Sequence, residues 1–373
     1  MIKIAYIIDI ITSPTGGTER QLLMLMNEID KSKFKPYLIC LRDSEWLQNN
    51  DFPFDVHVLN IGRLFSLDFI KGIISFRKLY KNQKFDIIQT FFRDGNIFGS
   101  IAAKYCNCNK IISSRRNMGY WHTKFDIFLL KLFSKWTPYY LCNSKAAQEQ
   151  TIEIEKVDPS KISTMYNGLD LTKLNLINDE ARAKQRKIWS VKDDEIVIGA
   201  IANLRPVKNI DILIDTAAEL IKEFKNLKFI VAGEGDLRKQ LQEKIAKLDL
   251  VARFFLVGRT NNIYPLLSSF DIAVMPSQSE SFSNSLIEYM LAKLPIVASD
   301  VGGNSEAIEH NKTGLLFSLE DKNGLLEGVK RLISDRALSR QLGKNAYNNA
   351  IRNYSISTMI FNHENYYENI ASK

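Results

Sequence analysis

Short apolar, β-branched runs alternate with stretches of helical spacing through the first half of the chain: Ile4 to Ile8, Tyr37 to Leu41, Val56 to Val58, Ile87 to Thr90, Ile111 to Ser114 and Tyr139 to Asn143. The alternation restarts at Ile196 to Ile201 and continues with Phe229 to Ala232, Phe254 to Val257, Ile272 to Met275 and Ile296 to Ser299. Repeated β-α alternation predicts parallel sheets with helices on both faces, an α/β fold. Two series predict two Rossmann-like domains, over 1–175 and 176–350, with the polar stretch Thr172 to Asp194 as linker and lead-in helix. The tail with Tyr354, Phe361, Tyr366 and Tyr367 reads as a terminal helix within 351–373. Asp9 interrupts the opening MIKIAYIIDII and no small-residue cleavage site follows, so this segment reads as the first strand rather than a leader.

Length agrees with the pattern, because 373 residues exceed what one core usually holds. With 45% hydrophobic and 25% charged residues the chain has an ordinary soluble globular composition. No apolar run approaches the roughly 18 residues needed to span a bilayer. Cys40, Cys106, Cys108 and Cys142 fit reduced thiols of a cytoplasmic protein better than a disulfide framework, and Cys106-x-Cys108 lacks zinc spacing. The net charge of +8 points to an anionic partner: nucleotide, lipid phosphate or membrane surface. Nucleic acid is disfavoured, since no helix-turn-helix, RNP-like or zinc-finger pattern accompanies the charge.

The chemistry concentrates after the apolar run Ile272 to Met275. From Ser283 onward Leu286, Ile287, Met290, Leu291 and Leu294 have the spacing of a packed helical face. A loop and first helical turn at the carboxyl edge of a parallel sheet present backbone N–H groups to a ligand crevice, and phosphate suits them. Glu280 and Glu288 bracket that turn, and carboxylates accept hydrogen bonds from hydroxyls. Hydroxyls at both ends with phosphates between them describe a nucleotide sugar. Arg205 and Lys208, after the run Ile196 to Ile201, can bring two cations to the same diphosphate. Gly233-x-Gly235 follows a strand, but Arg238 stands where a dinucleotide fingerprint needs its third glycine. Gly16 and Gly17 precede a helix whose Thr18 and Gln21 have capping-box spacing, with backbone amides expected to face the cleft. Phe125, Phe128, Leu129, Leu132, Phe133 and Trp136 share a helical stripe beside Lys124, Lys131 and Lys135, which suits either core packing or a bilayer surface.

Taken in order, GGTE from Gly16, NGLD from Asn167, LRPVKN from Leu204, VAGEGDLR from Val231, VGR from Val257, the Glu280 to Glu288 segment and DVGGNSE from Asp300 resemble the retaining family 4 glycosyltransferases of GT-B fold over nearly the whole length. The resemblance implies two Rossmann-like domains with parallel sheets facing across a cleft that holds the ligand, and a terminal helix crossing back to the first domain. It implies a metal-independent hexosyltransferase of surface-polysaccharide or lipopolysaccharide biosynthesis, using a UDP- or GDP-type sugar and no cofactor. The acceptor would be a glycan or a polyprenyl-linked sugar, with the enzyme cytoplasmic or at an anionic membrane surface. Catalysis would fall to Arg205, Lys208 and Glu280. Donor binding would fall to Glu288 at the ribose, the amides of Phe282, Ser283, Asn284 and Ser285 at the distal phosphate, Gly258 at the base, and Gly17. Gly16 and Gly17 would serve donor phosphate or acceptor. Many relatives carry a histidine after the strand matching Ile111 to Ser114, whereas this chain has Arg115, Arg116 and Asn117 there and His122 only later. That departure leaves Arg116, Asn117 and His122 as competing acceptor-side contacts, with Arg93 and Asp94 lining the same mouth. No Asp-x-Asp occurs, so no metal site is expected. An epimerase, a hydrolase or a silent nucleotide-sugar-binding protein on the same scaffold are the rival readings.

Overall fold

The computed structural model describes residues 1–119, 123–260 and 262–373. The chain divides into two compact units, one of residues 1–168 with 356–373 and one of residues 169–355.

The first unit is built on seven parallel strands: β1 (Ile2–Ile8), β2 (Phe34–Cys40), β3 (Asp55–Val58), β4 (Ile87–Thr90), β5 (Ile111–Arg115), β6 (Tyr139–Cys142) and β7 (Ile162–Thr164). Their order is β3-β2-β1-β4-β5-β6-β7. The two central strands β1 and β4 are buried from Ile4 to Ile8 and from Ile87 to Thr90; β1 therefore reads as an apolar run, whereas β4 also buries Gln89 and Thr90, whose side chains donate to Ser114 and Asn96. Strand β7 has no such run, because only Ile162 of its three residues is buried at the sheet edge. The helix Ile356–Ser372 belongs to this unit, where Met359, Ile360, Tyr367 and Ile370 join the core of β1, β2 and the helix Gly17–Glu28.

The second unit carries six parallel strands: β8 (Ile196–Ile201), β9 (Leu227–Ala232), β10 (Phe254–Gly258), β11 (Ile272–Met275), β12 (Ile296–Ser299) and β13 (Leu315–Phe317), in the order β10-β9-β8-β11-β12-β13. In each unit the strand order reverses once, at β1/β4 and at β8/β11. Connections leave such a pair toward opposite faces, so a crevice opens at their carboxyl ends.

One expectation is corrected and one divided. The helix Gly17–Glu28 has Gly16 as its N-cap, with no side-chain capping bond from Thr18 to Gln21. Gln21 lies instead on the buried face, where its Nε2 donates to the Gly168 carbonyl at 2.9 Å and its Oε1 accepts from the Gly168 amide at 3.1 Å. A buried amide side chain that satisfies both groups of an otherwise stranded peptide is worth more there than at a solvated cap. The stripe from Phe125 to Trp136 divides: Leu129 and Phe133 are core, whereas Phe125, Phe128, Leu132 and Trp136 are exposed. No helix of the described residues is long and apolar enough to cross a membrane.

Candidate functional site

In the second unit the loops after β8 and β11 meet at the switch point. Pro206 and Asn209 shape the first loop: Pro206 opens a single 3-10 turn, Pro206–Lys208, and Asn209 takes a left-handed φ of 53° to start the helix Ile210–Glu223. The turn brings Lys208 Nζ within 2.5 Å of Glu280 Oε1. Ser277 Oγ donates to the same oxygen at 2.7 Å, while Ser299 Oγ at the end of β12 donates to the Ser277 carbonyl at 2.5 Å. Among the described residues, Glu280 Oε2 receives no hydrogen bond. The carboxylate is thus fixed through one oxygen and presents the other. The backbones are stitched as well, Gln278 N donating to the Val207 carbonyl at 2.8 Å.

The loop after β12 closes on this one from the other side. Gly302 has a φ of +48°, and a Cβ there would stand 1.9 Å from the Glu280 carbonyl oxygen; at Gly303 it would stand 1.8 Å from that of Ser281. Only glycine allows this approach, which the Gly303 N–H completes by donating to the Glu280 carbonyl at 3.2 Å. The pair in DVGGNSE is therefore the mould against which the Glu280 loop is cast. Gly233 plays the equivalent part for the Arg205 loop, having a φ of +147° and lying against the Ala202 carbonyl, while Leu204 N donates to the Glu234 carbonyl at 2.9 Å. Gly258, at φ +81°, ends β10 and accepts from the Gly233 N–H at 2.8 Å.

Glu288 is buried on the helix Asn284–Leu291. Its neighbour Tyr289 accepts from Ile201 N at 2.5 Å and so locks that helix to the end of β8. Burial raises the Tyr289 phenol well above its ordinary pKa, so it stays neutral. Ser283 is the helix N-cap and makes no side-chain capping bond; Asn284 and Ser285 follow half-buried in the first turn. Phe282 packs edge-on against Tyr354 at 5.1 Å. Arg205 is exposed on the same loop as Lys208 and makes no ion pair among the described residues. The structure thus joins Lys208 to Glu280, keeps Arg205 near Lys208 on one loop, and sets Glu288 about one turn along the following helix.

In the first unit Arg93, Arg116 and Asn117 line one small hollow with Phe92, Asn96 and Ser114. Phe92 has a φ of +60°, a conformation that costs a bulky residue about 1–3 kcal/mol. Arg93 is held by carboxylates: its Nε donates to Asp94 at 2.8 Å and its Nη1 to Asp126 at 2.6 Å. Asp126 also completes the capping box with Thr123 that starts the helix Lys124–Ser134. Arg116 donates to Asn167, and its buried Nε has no partner among the described residues; burial brings its guanidinium down to about 10. Asn117 Oδ1 accepts from the Gly119 N–H at 2.9 Å. His122 lies outside the described residues. The amides at Gly16 and Gly17 do not simply face a cleft: the Glu19 carboxylate folds over Gly16 and accepts from Thr18 and Glu19 N–H groups.

Sequence reasoning passed over Asp9. It follows β1 directly and accepts from the amides of Asp94 and Gly95 at the start of the helix Phe92–Tyr105, with Arg42 bound to the adjoining Asp94. Burial, then repulsion from Asp94, pushes its pKa up from 3.8 to about 7. The available signal was a charged residue directly after the first apolar run.

Two family models match the chain: Glycosyl transferases group 1 over residues 181–349 and Glycosyltransferase Family 4 over residues 15–173. The chain is 26% identical over 357 residues to the UDP-Gal:alpha-D-GlcNAc-diphosphoundecaprenol alpha-1,3-galactosyltransferase of Escherichia coli, covering 91% of this chain and 90% of that protein. It is 24% identical over 340 residues to the N-acetylgalactosamine-N,N'-diacetylbacillosaminyl-diphospho-undecaprenol 4-alpha-N-acetylgalactosaminyltransferase of Campylobacter jejuni, covering 87% and 89%. Among solved structures, Anabaena HepE in complex with UDP matches with a TM-score of 0.85 over 100% of both chains at 21% identity, a likeness of fold.

Proposed function

This chain belongs to the GT-B glycosyltransferases of the group 1 and family 4 type, and we propose that it moves a hexosyl unit from a uridine-diphosphate sugar to a polyprenyl-diphosphate-linked or other glycan acceptor in surface-polysaccharide or lipopolysaccharide assembly. The observation that carries this reading is the Lys208–Glu280 pair at the β8/β11 switch point, with one carboxylate oxygen occupied and the other presented. Two relatives spanning about nine-tenths of the chain are named for undecaprenyl-diphosphate-linked acceptors, and one for a UDP-sugar donor, which supports the same substrate classes here.

Glu280 would accept hydrogen bonds from hydroxyls of the transferred sugar, and Glu288 from the ribose. The turn from Phe282 to Ser285 would hold the distal phosphate, and Gly258 would pass the base close to the backbone. As the glycosidic C–O bond breaks, negative charge grows on the leaving diphosphate, and Lys208 with Arg205 would stabilise it. The acceptor hydroxyl oxygen then bonds the anomeric carbon on the face the diphosphate leaves, its proton passing to the departing phosphate. Attack on that face would retain the anomeric configuration, and two cations with a helix terminus would supply the electrostatics a metal would otherwise provide. On the first unit Arg116 and Asn117, which share a hollow, would meet the acceptor, with Gly16 and Gly17 beside it. The four cysteines are free thiols, which supports action in the reducing cytoplasm.

The test is a thermal-shift screen against nucleoside diphosphates and their sugars, followed by product analysis with a diphosphate-linked acceptor and excess chelator. A concentration-dependent rise in melting temperature with UDP and an α-linked product are expected. Release of free sugar in step with UDP, or turnover abolished by the chelator, would overturn the transfer or the metal-free reading respectively.

A further inference from the structure

Of the fifteen large apolar side chains exposed among the described residues, nine lie between Phe65 and Trp136 in the first unit. Chance exposure scatters such residues singly; this clustering marks a surface that something covers. Two helices and their flanks carry eight of the nine; the ninth, Tyr105, ends the helix Phe92–Tyr105. On the helix Leu67–Gln83, Leu67, Ile70 and Ile74 follow the i, i+3, i+7 spacing of one face and are 76%, 55% and 60% exposed. On the helix Lys124–Ser134, Phe125, Phe128 and Leu132 repeat that spacing, and Trp136 continues it. Exposed Phe65 joins the two stripes: its ring is 5.5 Å from Phe69 at the root of the first and 6.4 Å from Phe133, which in turn lies 5.5 Å from Trp136.

The exposed charge beside these stripes is predominantly positive. Arg63 and Lys71 flank the first and Lys124, Lys131 and Lys135 the second, all exposed. Against them stand one exposed acid, Asp68, 3.7 Å from Lys71, and Asp126, which is buried and paired with Arg93. Lysine stems extend apolar surface while their ammonium heads reach anionic groups, and phenylalanine and tryptophan suit the boundary between acyl chains and headgroups.

We propose that the two-helix face running from Phe65 through Ile74 and from Phe125 through Trp136 docks on an anionic phospholipid bilayer, seating the first unit at the surface that holds its lipid-linked acceptor. The inference rests on the polyprenyl-linked reading above. It supplies the partner for residues that the transfer chemistry leaves unused, since none of Phe125, Phe128, Leu132 or the flanking lysines belongs to the site.

The experiment sediments the full-length protein with vesicles of phosphatidylcholine alone and of equal parts phosphatidylcholine and phosphatidylglycerol. Wild type is expected to pellet with the anionic vesicles and to be released by salt. The triple variant Phe125→Ser, Phe128→Ser, Leu132→Ser and the variant Lys124→Glu, Lys131→Glu, Lys135→Glu should each lose about tenfold or more in partitioning, while keeping the melting temperature and the turnover of a short-chain, water-soluble acceptor. Equal sedimentation of variants and wild type, or wild type remaining with the supernatant, overturns the proposal. So does a wild-type dimer in analytical ultracentrifugation that the apolar variant dissolves, because a second copy would then cover the face. Loss of transfer to the short-chain acceptor by the wild type would instead count against the transferase reading, with vesicle binding unaffected.

Discussion

The two switch points of this protein start from the same topology and finish differently. At β1/β4 the start of the helix Phe92–Tyr105 is closed by the chain itself, through the Asp9 carboxylate on the Asp94 and Gly95 amides and through Asp94's pairing with Arg42, after β2, and with Arg93 of the helix itself. At β8/β11 the helix Asn284–Leu291 begins at Ser283 with no side-chain capping bond, and the nearby carboxylate, Glu280, is held away by Lys208 and Ser277. The two reversals thus differ in where the nearby acid is engaged, Asp9 on the helix amides and Glu280 on Lys208 and Ser277. The first unit also carries Arg116 and Asn117, but its charges are mostly committed to one another.

Removing the cations of the second unit should give the largest effect. Lys208→Ala and Arg205→Ala are each expected to lose about 2–4 kcal/mol of transition-state stabilisation, read as kcat in initial-rate assays, whereas Arg93→Ala should leave kcat nearly unchanged. Equal losses on both sides would break the contrast. Next comes the mould of the Glu280 loop. Gly303→Ala must push backbone against backbone and should cost about 1–3 kcal/mol in urea unfolding, together with the UDP-dependent thermal shift. Smaller again is Ser277→Ala, expected to weaken the hold on Glu280 by about 1 kcal/mol, with kcat falling and recovery in Ser277→Thr. Arg93→Ala, whose side chain is 42% exposed, should cost about 1 kcal/mol or less of stability.

The subtlest test is pH. Asp9 has its folded pKa raised from 3.8 to about 7, so it favours the folded state below pH 4 and that contribution is lost as pH rises toward 7. Asp9→Asn keeps an acceptor for the two amides without a charge. The difference between wild type and variant in unfolding free energy should therefore drift against wild type from pH 4 to 7 and level off above it. A flat difference would show that Asp9 does not retain its proton there.

Legibility followed the same divide. The runs at β1, β8 and β11 were plain because strands buried on both faces are almost wholly apolar, whereas β7 and β13 are edges of only three residues, too short to show a period. The cations and acids of the second unit could be singled out because loop chemistry is written in contiguous residues, from Arg205 to Asn209 and from Glu280 to Glu288. Their meeting was not written there. Nor was the destination of Gln21, whose partner Gly168 is 147 residues away. The stripe from Phe125 to Trp136 could be recognised as amphipathic, yet a helical period does not say how wide a face is covered.

The sequence by itself determined the two α/β units, the strands at their centres and the loops that carry charge, since burial and backbone conformation impose local patterns that residue types must obey. The tertiary structure alone decided which carboxylate occupies its own helix terminus, which is held open beside a lysine, and which apolar stripe stays exposed. Those outcomes depend on distances between residues far apart in the chain, and such distances exist only once the sheets have formed.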